Sequence, residues 1–218
     1  MRVVADPSLF RLRVVFRKAG RLALLSHLEV ARALERAVRR AGLPYAVSQG
    51  FSPHMRIAFG AALPVGVGGE REFYDLFLTR YVAPAKCLEA LRAASPDDLM
   101  VLECVYVEHA APAASVAFPL SAYRADLSSP VGEWPVPEAV AVVRKKKEKS
   151  LPVAEYLVGE MRLADGGRAV EFTLEAKPTG SLRPDKLVAA CLALVPEDAR
   201  PHLTALTRTA QSDGVATL

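Results

Sequence analysis

Two histidines, His27 and His54, stand in the most basic stretch of this 218-residue chain, and each has neighbours that could set an imidazole to work. His27 lies in the run SHLE, with Lys18 and Arg21 shortly before it. A histidine there could pass a proton as general acid or base, with Lys18 or Arg21 stabilising developing negative charge, or it could bind an anion beside the free N–H groups of a helix start. The alternative is an imidazole that packs on a sheet and bonds a loop carbonyl. His54 belongs to SQGFSPHMR together with Gln49, Ser52 and Arg56. In that turn Gly50 allows a positive φ, Pro53 stiffens the chain, and Phe51 is either a stacking platform for a base or the anchor of the loop in a core.

Charge singles out the same region. Between Phe10 and Phe59 the residues Arg11, Arg13, Arg17, Lys18, Arg21, Arg32, Arg36, Arg39, Arg40 and Arg56 face only Glu29 and Glu35, leaving about +8 where the whole chain carries +4. A polyanion would relieve that repulsion, and arginines with aromatic faces and imidazoles are what RNA sites combine. At 100° per residue, Arg32, Arg36, Arg39 and Arg40 fall within about a third of a helix circumference, opposite the apolar stripe. The plain alternative is a solvated face. The nucleic-acid contacts expected are therefore Arg17, Lys18, Arg21, the four helix arginines, Gln49, Phe51, Ser52, His54 and Arg56.

These groups need elements to position them. Phe10 to Lys18 alternates with the period of a half-buried strand. Ser26 and Glu29 form a capping box, Val30, Ala31, Leu34, Ala37, Val38 and Ala41 repeat at helical spacing, and Gly42 and Pro44 stop the helix. Residues 55–59 and 72–79 read as strands joined by a glycine-rich connection, 84–94 as a helix, and 99–108 as a strand. The order is βαββαβ, the ferredoxin-like unit. After an Ala/Pro-rich joint the order is expected again: a strand at 117–127, a helix at 137–147, a hairpin of 154–163 and 169–176 turning on Asp165-Gly166-Gly167, a helix at 184–194 and a strand at 202–209. The expected fold is thus α+β, two tandem ferredoxin-like domains over residues 1–110 and 115–218. The first holds 15 basic and 11 acidic side chains and the second 13 of each, so the excess lies in the first.

Other chemistries find little support. Cys87, Cys104 and Cys191 are distant and odd in number, which argues for reduced thiols in a cytoplasm rather than disulfides, zinc or an iron–sulfur cluster. In EREFYDLFL a strand would put Glu70 and Glu72 on one face and Asp75 on the other, so no metal site is read there. No phosphate-cradling glycine motif is present, so no cofactor is expected. No membrane span is expected either. The run RKKKEKS, from Arg144 to Ser150, reads as a charged helix end or a supplementary phosphate contact.

The segment FRKAGRLALLSHLEVARALERAVRRAGLPYAVSQGFSPHMRIAFGAALPVGVGGEREFYDLFL, through its motifs SHLE, RRAGLP and GFSPH, resembles the bacterial radical-SAM-linked family of unknown function. The resemblance covers the first 110 residues closely and the rest loosely. It implies a radical SAM protein as partner, and this chain has no CxxxCxxC to hold that enzyme's cluster itself. A looser, fold-level similarity to CRISPR repeat-processing endoribonucleases would place a histidine near the first helix, where His27 stands, but KPTGSLRP offers only Gly180 where those proteins carry a glycine-rich loop. The reading favoured is a non-catalytic RNA-binding accessory module. A metal-independent ribonuclease using His27 and a protein-interaction subunit of the radical SAM partner are the alternatives.

Overall fold

A computed structural model describes residues 9–144, 147–178 and 180–214. The chain divides into two units, Met1–Val65 with Gly69–Ala117, and Gly66–Gly68 with Phe118–Leu218. In the first unit β1 (Phe10–Lys18), α1 (His27–Arg40), β2 (Ile57–Phe59), β3 (Val67–Leu78), α2 (Pro84–Ala94) and β4 (Val101–Tyr106) follow in that order. Its strands pair antiparallel in the order β4-β1-β3-β2. A short helix, α3 (Ala114–Ala117), ends the unit.

Local chemistry accounts for α1. Ser26 caps it, accepting from the Glu29 N–H, while the Glu29 carboxylate accepts from Ser26 N at 2.8 Å and from its hydroxyl at 2.7 Å. Gly42, at φ +64°, takes the left-handed position that ends the helix without a Cβ penalty. The stripe Val30, Leu34 and Val38 packs with Leu12, Val14, Phe16, Tyr74, Leu76 and Leu91 into one core. Each such side chain contributes roughly 1.5–3 kcal/mol by leaving water.

The strand β1 departs from the expectation of one buried face, because both of its faces are covered. Leu12, Val14 and Phe16 enter the core, and on the other side Arg11 and Arg13 are also buried, at 6% and 9% exposure. Asp75 lies opposite Arg13 in register and takes both guanidinium groups, while the backbone of residues 108–112 supplies further acceptors. Two of the ten basic side chains of this stretch are therefore structural. The strand β3 is also longer than expected, since it begins inside the glycine-rich connection.

The second unit holds β5 (Leu120–Leu127), β6 (Ala139–Arg144), β7 (Lys147–Pro152), β8 (Leu157–Ala164), β9 (Ala169–Glu175), α4 (Pro184–Leu194) and β10 (Leu203–Ser212). Its sheet runs β10-β5-β9-β8, all antiparallel. The helix expected at 137–147 is absent there. In its place β6 and β7 form a two-stranded ribbon with Val140 opposite Leu151. Val140 and Val142 alternate with Ala139 and Ala141, the period of a strand, and β-branched side chains favour that backbone. Of the basic run from Arg144, Arg144 thus closes β6 and Lys147 opens β7, neither of them at a helix end, while Lys145 and Lys146 lie outside the described residues. Elsewhere the hairpin on Asp165-Gly166-Gly167 and the helix from Pro184 to Leu194 stand where the pattern puts them, with Asp165, Gly166 and Gly167 all at positive φ.

Candidate functional site

At the start of α1 the first helical residue, His27, presents an exposed ring that meets Phe59 edge-on, with centroids 5.5 Å apart. Around it lies a cavity of about 30 Å³ lined by Lys18, Val30, the loop Gly60-Ala61-Ala62-Leu63 and Glu72, among others. Lys18 is only 3% exposed and donates from Nζ to the Leu25 carbonyl at 3.0 Å; Glu72 is 5% exposed. The cavity has room for water and not for a nucleotide. Lys18 is thus a buried cation tied to the backbone ahead of α1, not a surface phosphate contact. Glu72 beside His27 was not legible as part of such a site, because its position depends on β3 pairing with β1 in this register.

The four arginines of α1 are all exposed. What matters electrostatically is what their acids do. Glu29 is held by Ser26; the Ser26 hydroxyl bond, then the Ser26 N–H, keep its carboxyl below the ordinary value, and the charge of Arg32 adds to this. Glu35 pairs with Arg39 at 3.2 Å. Arg40 donates to the Ala94 carbonyl, and Arg36 has no hydrogen-bond or ion-pair partner among the described residues. Arg36 and Arg40 rim a cleft of about 820 Å³ whose floor is Leu22, Leu25, Ala33, Ala90, Ala93 and Ala94.

The GFSPH turn is a hairpin loop. Val47 bridges Met55, Ser48 N–H donates to the His54 carbonyl at 2.8 Å, and the His54 N–H donates to Ser48 Oγ at 3.0 Å. Residues 49–54 at its tip are exposed, and Phe51 is fully so, which settles its two readings against a core anchor. Gly50 is not among the positive-φ glycines, and the space where its Cβ would stand is open, so the turn does not depend on its freedom. Arg56 turns inward instead, its guanidinium 5.2 Å from the Phe77 ring centroid.

The two histidines do not share a site. Phe59, which meets His27, and His54 stand at opposite ends of an extended run of five residue steps, about 16 Å. Arg17 and Arg21 belong to neither group: Arg17 donates to the Asp97 carbonyl at 3.0 Å, and Arg21 sits in the turn after β1, its N–H bonded to Asp98. Among the described residues no group of acids, cysteines and histidines could hold a metal ion, and no helix is long and apolar enough to cross a membrane.

Fold and surface together define an α- and β-containing protein with antiparallel sheets, one helix whose arginines outnumber its free acids, and an exposed aromatic loop tip. The chain belongs to the bacterial family described as "Uncharacterized protein conserved in bacteria (DUF2344)", which matches residues 11–184. No curated protein matches it.

Proposed function

We propose that this chain is a non-catalytic RNA-binding accessory module, built on two ferredoxin-like units of which the second has exchanged its first helix for a ribbon. The observation that carries the reading is the state of the acids on α1. Glu29 is held by its cap with Arg32 nearby and Glu35 is paired with Arg39, so two acids face four arginines, and Arg36 and Arg40 have no acidic partner among the described residues. The exposed Phe51 at the tip of a stiff loop adds a stacking face of the kind single-stranded RNA uses. The sequence resemblance supplies the context, a radical SAM enzyme to which the module presents its RNA. The three buried free cysteines accord with a reducing compartment, the cytoplasm.

The test is binding of an RNA hairpin with a single-stranded loop, measured between 50 and 200 mM salt, by the native chain and by the Arg32→Glu, Arg36→Glu, Arg39→Glu, Arg40→Glu variant. The proposal expects affinity to fall steeply with salt and the variant to lose both affinity and most of the salt slope, one unit of slope for roughly each lost phosphate contact. Equal, shallow binding by both proteins would reject it in favour of a protein partner.

A second reading rests on Lys18 and Glu72 lining the same cavity as His27. It makes the protein a metal-independent ribonuclease, with His27 transferring the proton. His27→Ala would then abolish cleavage and leave binding intact; absence of cleaved ends with the native chain rejects it.

A further inference from the structure

Away from the α1 face, three aromatic rings from three separate segments gather at one end of the first sheet. Tyr81 and Tyr106 stack with centroids 5.2 Å apart and planes 28° from parallel. Phe10 meets both edge-on, at 5.9 Å from Tyr81 and 6.2 Å from Tyr106. Register explains the gathering. Phe10 opens β1 opposite Leu78, the last residue of β3; Tyr106 closes β4 near Leu12; and Tyr81 follows β3 by three residues. The Tyr106 hydroxyl fixes the arrangement, accepting from Val82 N–H at 3.2 Å and donating to the Val82 carbonyl at 2.8 Å.

The cluster is a stack left unfinished. Tyr81 has Tyr106 on one face and is still 59% exposed, and Phe10 is 39% exposed. A surface aromatic pair gains little by remaining in water, whereas a third flat ring on the open face would complete the stack. Arg80 adjoins it, exposed and without a hydrogen-bond or ion-pair partner among the described residues. The same sheet end receives the start of the segment that carries the GFSPH loop, since Tyr45 bridges Leu78 and Thr79 N–H donates to the Pro44 carbonyl at 2.8 Å.

We infer that Tyr81, backed by Tyr106 and Phe10, is a stacking platform for one base of a single-stranded RNA segment, with Arg80 on the adjoining phosphate. This rests on the RNA-binding reading and adds to it a second contact region that reads unpaired bases, where the α1 arginines read only backbone charge. Charge decides between this occupant and a proline-rich peptide, the other ligand flat aromatic surfaces take: an unpaired arginine beside the rings, in the half of the chain that holds the basic excess, favours an anionic chain.

The experiment uses the full chain, a ten-nucleotide single-stranded RNA carrying 2-aminopurine, and a blunt RNA duplex of the same length. The native protein should quench the 2-aminopurine fluorescence on binding, as a stacked base does. Tyr81→Ala should lose the quenching and bind the single strand at least about fivefold more weakly, with duplex affinity unchanged. Tyr81→Phe should behave as native, and Arg80→Glu should weaken single-strand binding while leaving the rings in place. Unaltered quenching and affinity in Tyr81→Ala, with binding lost in the four-arginine variant, would overturn the platform and leave the RNA reading standing. Binding of neither RNA by the native chain would overturn both. Saturable, Tyr81-dependent binding of a proline-rich peptide without quenching by RNA would overturn the assignment of the platform to bases.

Discussion

Arg13 and Asp75 form a buried bidentate pair, Nε to Oδ1 at 2.8 Å and Nη2 to Oδ2 at 3.0 Å, and Arg11 closes on the same carboxylate at 2.6 Å. Asp75 is wholly buried. Two cations thus share one anion in the first unit, with the carbonyls of Ala111 and Pro112 completing the set at 2.7–3.0 Å. Asp75→Asn would remove the carboxylate charge that both buried guanidinium groups bind. The expected loss is about 3–5 kcal/mol in urea unfolding, the range for breaking a buried ion pair from one side. A loss under about 1 kcal/mol would mean that the backbone carbonyls hold the arginines by themselves.

The cap of α1 should show in both stability and its pH dependence. Ser26→Ala removes the acceptor for the Glu29 N–H and should cost about 1 kcal/mol. The folded-state pKa of Glu29 is depressed, so its contribution is present above the ordinary carboxyl value of 4.5 and is lost as pH falls through the lower folded value. The difference in unfolding midpoint between the native chain and Glu29→Gln should therefore be full at pH 7 and shrink below about pH 4.5. A gap that persists unchanged at pH 3 would contradict the assignment.

Thiol chemistry offers an independent check on the core. Burial pushes Cys104 up to about 12, with Cys87 adding to it, and Cys191 up to about 11. Cys87, fully buried, is raised for the same reason. Little thiolate exists at pH 8, and the thiolate is the reactive form. Iodoacetamide at pH 8 should leave all three unmodified in the native protein, by mass spectrometry, and label all three in urea. Fast native labelling of Cys104 would show that the packing of β4 opens readily.

Tyr74 is the largest side chain wholly inside the first core, and its hydroxyl has no hydrogen-bond partner among the described residues. Burial also raises its pKa, with the neighbouring Cys104 and Cys87 adding to the shift. Tyr74→Phe keeps the ring against Phe16 and Phe59 and removes the unpaired group. It should unfold at the same urea concentration as the native chain or a higher one, by up to about 1–2 kcal/mol. A clear loss of stability would reveal a hydrogen bond to this hydroxyl.

How much could be seen in advance depends on the range over which each feature is determined. The capping box at Ser26 and Glu29, the stripe from Val30 to Val38, the stop at Gly42 and the turn at Asp165 are set by residues within a few positions of one another, and all were legible. The segment 137–147 suits a helix by its single glutamate, its lysines and its alanines, while the alternation of Val140 and Val142 suits a strand, and pairing with Leu151 decided the matter. Arg11 and Arg13 looked like surface charge, since nothing nearby in sequence announces that Asp75, more than sixty residues on, will stand opposite them.

The sequence by itself determined the charge on α1, because a helix places residues on a face by their spacing alone. It also determined that the GFSPH segment would be a turn. Tertiary structure alone decided which cations remain on the surface, that Phe51 points into solvent, and that Phe10, Tyr81 and Tyr106 meet. The burial of the β1 arginines and the meeting of the three rings depend on strand register, where a shift of one residue turns a side chain to the opposite face, and register is set by the packing of distant segments.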